Sequence, residues 1–406
     1  MIFRGIYTVS TLLQKFYHHR IRSILFIITI SVMLLTCILQ VHHIVDMTWF
    51  IVFSLVLVFF GAKFDLFNSG PLKRLTQSFH SQIGQTIYSW IALPLYLQLV
   101  PLALQKLCVQ IQLLMGFSQH ISDIMGILLI LASWLLLLPV VTTIALPLPS
   151  SRRSTIIEIF WLILIVFDSY TSYPSMLILN NDFSNNVLQA FVVNGVIALP
   201  LLFIWLATRL SLANVVLPRP NWAHLYRHWW GSLLILLVIM IFWGGNATGL
   251  KAITWHPSFF SAAFEAGVGE ELLFRFFILI LIYRVLKQNK HRVLWTIWSQ
   301  ALLFGLWHTS NILAGAPISG VIDQVIFTIT FGIIMGQIYA WSGNIILVMV
   351  IHGVGDYLAF IATDSVLAET ATWHDIAQSV VWLIVVMIVS YVLTTYCWQN
   401  ARLLKS

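Results

Sequence analysis

The chain has 406 residues, of which 60% are hydrophobic and only 9% charged, and its mean hydropathy is +0.92. A soluble domain carries about 25% charged residues, so 21 basic and 14 acidic side chains cannot coat a water-soluble fold of 46.3 kDa. Composition excludes a soluble enzyme and leaves an integral membrane protein whose outer surface faces lipid.

A bilayer core of about 30 Å takes roughly 20 apolar residues as helix. On that template the chain reads as an all-α, polytopic membrane bundle of about twelve transmembrane helices. The expected spans are residues 23–40, 47–62, 86–105, 124–147, 155–170, 187–208, 229–246, 259–284, 293–308, 321–341, 344–362 and 376–398. The first is close to a full span and leads directly into the next, so a cleaved signal peptide is not expected. Pro94 and Pro101 should kink the third. Residues 107–122 form an amphipathic stretch that suits a re-entrant or interfacial helix. Glu158 and Asp168 sit near the two ends of the fifth span, where solvated helix-end acids are expected. A polar stretch at 247–257 suggests three regions: 1–250, N-terminal spans without a readable role; 251–362, a motif-bearing core; and 363–406, a last helix and tail. Asn246-Ala247-Thr248 matches a glycosylation sequon, and a chance polar loop explains it.

Basic residues set the orientation. With the N-terminus inside, cytoplasmic segments hold 18 of the 21, including Arg152, Arg153, Arg209, Arg284, Lys287, Lys290 and Arg292. Lys106 and Lys251 fall outside, and Arg275 falls within a span. The expected location is a cell membrane, multi-pass, with both termini cytoplasmic. The net charge of +7 follows from this loop bias. No basic cluster is interleaved with exposed aromatics, so nucleic acid is not an expected partner. Cys37, Cys108 and Cys397 are scattered and lack metal-ligand spacing.

Ionisable groups at bilayer depth cost at least ~2.5 kcal/mol each, so each needs a reason to be there. Three apolar spans after residue 257 carry them. The first contains Glu270-Glu271-Leu272-Leu273-Phe274-Arg275. Glu271 and Arg275, at i,i+4, share a helix face and can pair, whereas Glu270 points about 100° away, toward a cavity. Adjacent Gly267 and Gly269 allow another backbone to approach. The second span ends Phe304-Gly305-Leu306-Trp307-His308, and the third holds His352-Gly353-Val354-Gly355-Asp356. His352 and Asp356 are again i,i+4, so the carboxylate can orient the ring. Packing histidines would rarely coincide with such a carboxylate pair, so the joint reading is catalytic. Straight-helix depths fit this grouping imperfectly. At 1.5 Å per residue, Glu270 lies about 20 Å from Arg284 and His352 about 12 Å from Asn344. Tilt, a break near Gly267–Gly269 or a shifted boundary must reconcile them.

The motifs EExxxR, FxxxH and HxxxD, in this order and in apolar spans, resemble the CPBP family. That family comprises type II CAAX prenyl endopeptidases with bacterial bacteriocin-processing and self-immunity homologues. The resemblance covers roughly residues 257–362 and implies a helical core around a polar cavity, in a bacterial membrane protein acting on a membrane peptide or protein. It implies that Glu270 activates the attacking water with help from His308. His352 with Asp356 would stabilise the oxyanion, while Glu271 and Arg275 hold the site together. It also implies a metal-independent glutamate mechanism with no cofactor. Zinc on Glu270, His308 and His352 is the alternative, since two histidines and a glutamate can hold it with an open water position. A second class of function uses the same buried acids without hydrolysis, in an immunity protein or a proton-coupled transporter.

Overall fold

The computed structural model describes residues 151–163, 199–212, 229–247 and 256–397, with isolated positions between 84 and 148. The spans expected at 23–40 and 47–62, both termini and, apart from the helical and exposed Met115, the stretch 107–122 lie outside the described residues. Among the described residues all regular structure is helical. Contacts group the chain into two units, residues 1–148 with 168–215, and residues 149–167 with 216–406.

In the first unit, α2 (Leu199–Leu212; α1 belongs to the second unit) buries Leu201, Leu202, Trp205 and Leu206. Arg209 corrects the loop reading. It lies in the last turn of α2, 4% exposed, with its guanidinium carbon 4.7 Å from the Trp205 ring centroid. A basic residue in the last turn complements the helix dipole, and the indole face receives its charge.

In the second unit, α1 (Arg152–Trp161) begins at Ser151, whose hydroxyl accepts from the Ser154 N–H at 3.1 Å. Glu158 on this helix is 2% exposed and so is not the solvated helix-end acid expected from its position in the sequence. It falls on the face of α1 that packs inward with Thr155, Ile159 and Trp161. There follow α3 (Trp229–Ala247), α4 (Pro257–Glu265), two π-helical segments (Ala266–Glu270 and Leu272–Ile278) and α5 (Leu279–Val285). Next come α6 (Arg292–Trp307), a 3-10 turn (His308–Ile312), α7 (Ile318–Ser342), α8 (Ile345–Thr363) and α9 (Trp373–Val392). Ile318–Ser342, Ile345–Thr363 and Trp373–Thr395 are long and apolar enough to cross a membrane. The span expected at 259–284 is one continuous helical run from Pro257 to Val285 that changes turn type without breaking.

Local sequence sets the boundaries. Pro257 opens α4, where a missing N–H costs nothing. Gly343, at φ 66°, stops α7 in the left-handed conformation that suits glycine. The Asn344 side chain accepts from the Leu347 N–H at 3.2 Å to start α8. Ser342 and Asn344 are 1% and 0% exposed, so α8 begins inside the protein. The depth count took Asn344 as a position at the membrane surface, and its burial removes that reference point.

In this unit α6 packs on α7, α7 on α9, and both α3 and the α4–π run on α8. Helix α9 buries only Ser390 among its side chains. Leu383, Val386 and Met387, partly buried, pack against Ile297, Ala301, Ile333 and Ala340, and polar bonds add to this: Trp298 Nε1 donates to Ser390 Oγ at 3.1 Å, and Gln337 Nε2 donates at 3.0 Å to Thr394 Oγ1 just beyond α9. Such bonds hold helices together where lipid gives no hydrophobic drive for association. Val381, Ile384 and Ile388 are more than half exposed and suit contact with acyl chains.

Candidate functional site

The site is built where the α4–π run crosses α8. A Cβ on Gly267 would lie 2.7 Å from Gly353 Cα and 2.8 Å from the Met349 carbonyl. Only hydrogen fits there, so the two backbones touch one turn from Glu270, Glu271 and His352. Alanine usually stabilises a helix interior by about 1 kcal/mol over glycine. Gly267→Ala is expected to reverse that sign and cost about 1–3 kcal/mol of stability, because the overlap forces the helices apart. Gly244→Ala on α3, with nothing within 4 Å, should be neutral or stabilising. Thermal unfolding of the two variants in the same detergent checks the contrast.

Glu270 closes the first π segment and Glu271 separates it from the second. A π turn is wider than an α turn, so successive side chains splay through a smaller angle than α geometry predicts. Both carboxyls therefore reach one imidazole. Glu271 Oε1 accepts from His352 Nδ1 at 2.8 Å, and Glu270 Oε2 stands 3.8 Å from His352 Nε2. Glu271 Oε1 also lies 3.0 Å from Arg275 Nη1, and both side chains are fully buried. Asp356 Oδ2 is 3.2 Å from His352 Nε2. The structure thus brings Glu270, Glu271, Arg275, His352 and Asp356 into one cluster.

Residues 252–358 match a family model described as Type II CAAX prenyl endopeptidase Rce1-like. This segment of the chain is similar to the CPBP family. All of the motif residues from Glu270 to Asp356 fall within the matched segment, which leaves residues 1–251 and 359–406 outside it. No curated protein and no solved structure matches the chain.

Within the matched segment, the link absent from the motif spacing is Glu271 to His352, which are 81 positions apart. A carboxylate only accepts, so His352 Nδ1 carries the proton on that side. Glu271 is therefore more than the partner of Arg275, because it fixes the ring orientation and leaves Nε2 facing Asp356 and Glu270. Aromatic rings close the cluster. His352 meets the Phe331 ring at 4.9 Å and the Phe304 ring at 6.0 Å, both edge to face. Phe242 stacks on Phe331 at 4.8 Å, and the Arg275 guanidinium carbon lies 4.0 Å from the Phe304 centroid. Of these rings only Phe304 belongs to a motif; Phe242 and Phe331 carry no signal beyond being aromatic in apolar spans.

His308 is held apart from the hydrogen bonds of that cluster. It begins the 3-10 turn after α6, and its Nδ1 donates to the Phe304 carbonyl at 2.9 Å. Its ring meets Phe304 at 4.9 Å. Among the described residues its polar contact is this carbonyl and not Glu270, and the bond leaves Nε2 as its acceptor.

Polar capacity is left over at the cluster. Glu270 Oε2, Glu271 Oε2 and Arg275 Nε and Nη2 have no hydrogen-bond partner among the described residues. Buried polar atoms without partners are rare and call for a functional or solvent explanation. Of the two adjacent acids Glu270 is the more open, its side chain 12% exposed against 0% for Glu271, and Asp356 beside it is 23% exposed. Zinc fits the set poorly. Among the described residues no group of three or more His, Cys, Asp or Glu is disposed to hold a metal ion. Both nitrogens of His352 already face carboxylates, and a zinc ligand needs a free lone pair.

Proposed function

We propose that the chain is an intramembrane endopeptidase that hydrolyses a peptide bond of a membrane-associated peptide or protein. The observation that carries the proposal is Glu270, an acid on a π turn that is mostly buried, has an unbonded oxygen and lies 3.8 Å from an imidazole held by two other carboxyls. In this reading Glu270 takes a proton from water as the oxygen attacks the carbonyl carbon, then returns it to the leaving amine. The developing oxyanion accepts from His352 Nε2–H, the ring carrying a proton on each nitrogen between the carboxyls of Glu271 and Asp356. Arg275, 3.0 Å away, holds the Glu271 carboxyl in place. His308, anchored through Nδ1, offers Nε2 at the edge of the aromatic wall and helps to order water or substrate. No step needs a metal. The CAAX-type substrate named in the family description is the first class to test.

Membrane peptidomics of cells carrying the wild type or Glu270→Ala tests the proposal. Peptides that disappear with the variant are expected and name the substrate. Unchanged peptidomes would replace hydrolysis with the immunity or transport reading.

A further inference from the structure

The end of the second unit remote from His308 carries an unusual concentration of cations. Helix α1 is bound to the turn between α5 and α6, because Arg152 Nη2 donates to Gln288 Oε1 at 3.3 Å across 136 positions. This places Arg152 and Arg153 beside the turn that carries Arg284, Lys287, Lys290 and Arg292. Arg152, Arg153, Lys287 and Lys290 are exposed. The guanidinium carbon of Arg292 lies 4.3 Å from the Tyr283 ring centroid. Arg284 Nη1 is buried and has no hydrogen-bond partner among the described residues. In residues 151–163 and 279–295 the only carboxylate is Glu158, and it is buried. The patch has no acid of its own at its surface.

The side chains one turn deeper identify the partner. Ile156, Ile157 and Phe160 on α1 are more than half exposed, and Trp295 on α6 is 46% exposed. Four residues of helix advance about 6 Å. Cations thus stand one turn above exposed apolar side chains, as headgroups stand above acyl chains. A soluble polyanion would meet the cations but would leave the apolar layer uncovered.

We propose that this end of the second unit binds the phosphate-bearing headgroups of anionic lipids, independently of the peptidase reading. Arg152 and Arg153 come from outside the matched segment, so the site requires α1 and the α5–α6 turn together.

Native mass spectrometry of the full chain tests this with phosphatidylglycerol and phosphatidylcholine of equal acyl length. The wild type should retain the anionic lipid preferentially. Each juxtamembrane cation strengthens attraction to an anionic surface by about fivefold, so the triple variant Arg152→Gln, Lys287→Gln, Lys290→Gln should lose most of that preference, up to about a hundredfold. The charge-preserving triple variant Arg152→Lys, Lys287→Arg, Lys290→Arg should keep it. Equal retention of the two lipids by the wild type, or an unchanged preference in the glutamine variant, would overturn the proposal. Displacement of the lipid by millimolar inorganic phosphate would also overturn it, by showing a soluble-phosphate site.

Discussion

Glu270→Gln is expected to lower the rate of hydrolysis by about a thousandfold, within the 10²–10⁴ range for loss of a positioned general base. The substitution keeps the shape and removes the ability to accept a proton from water. Folding should be spared, because Glu270 Oε2 makes no hydrogen bond and its approach to His352, at 3.8 Å, is longer than one. The stability change should stay below about 1 kcal/mol, and KM should move little because the group acts on water. Glu270→Asp should also be slow, since retracting the carboxyl by about 1 Å is enough to cost about a hundredfold. The measurement is initial rates on a farnesylated CAAX peptide with a fluorophore and quencher across the scissile bond, using the full chain in nanodiscs. Wild-type rates from the glutamine variant would remove Glu270 from the chemistry. Proton-coupled flux in the same nanodiscs would point to transport.

The two readable pairs, Glu271–Arg275 and His352–Asp356, were visible in the sequence because i,i+4 neighbours share a helix face whatever surrounds them. The charges were also legible, since an acid in an apolar span needs a reason to be there. Tertiary relations were less accessible. The π turns at Ala266–Glu270 and Leu272–Ile278 leave no periodic trace in so short a run, and only Gly267 and Gly269 hinted at an unusual backbone. Glu271 to His352 is a contact across 81 positions, and no spacing rule reaches that far. Arg209 and Glu158 were misplaced for one reason: hydropathy places charged residues at span ends but does not show whether a neighbouring element covers them. The twelve-span count extends beyond the described residues, whereas the spans from residue 229 onward lie within a few residues of their expected positions.

Glu271 should behave unlike Glu270 although the two are adjacent. Glu271→Leu leaves the Arg275 guanidinium 0% exposed without its carboxylate and removes the acceptor of His352 Nδ1. Breaking a buried pair from one side costs about 3–5 kcal/mol, because the remaining charge is uncompensated. The variant should therefore unfold at markedly lower temperature and accumulate poorly, and its lost activity alone would say nothing about mechanism. The double variant Glu271→Leu, Arg275→Met separates the two roles. Removing both charges together is often near neutral, so thermal stability should return to within about 1 kcal/mol of the wild type. Activity should stay low, because His352 still lacks the carboxylate that holds its ring and aims Nε2. If activity returned along with stability, Glu271 would act through packing alone and His352 would be oriented by Asp356.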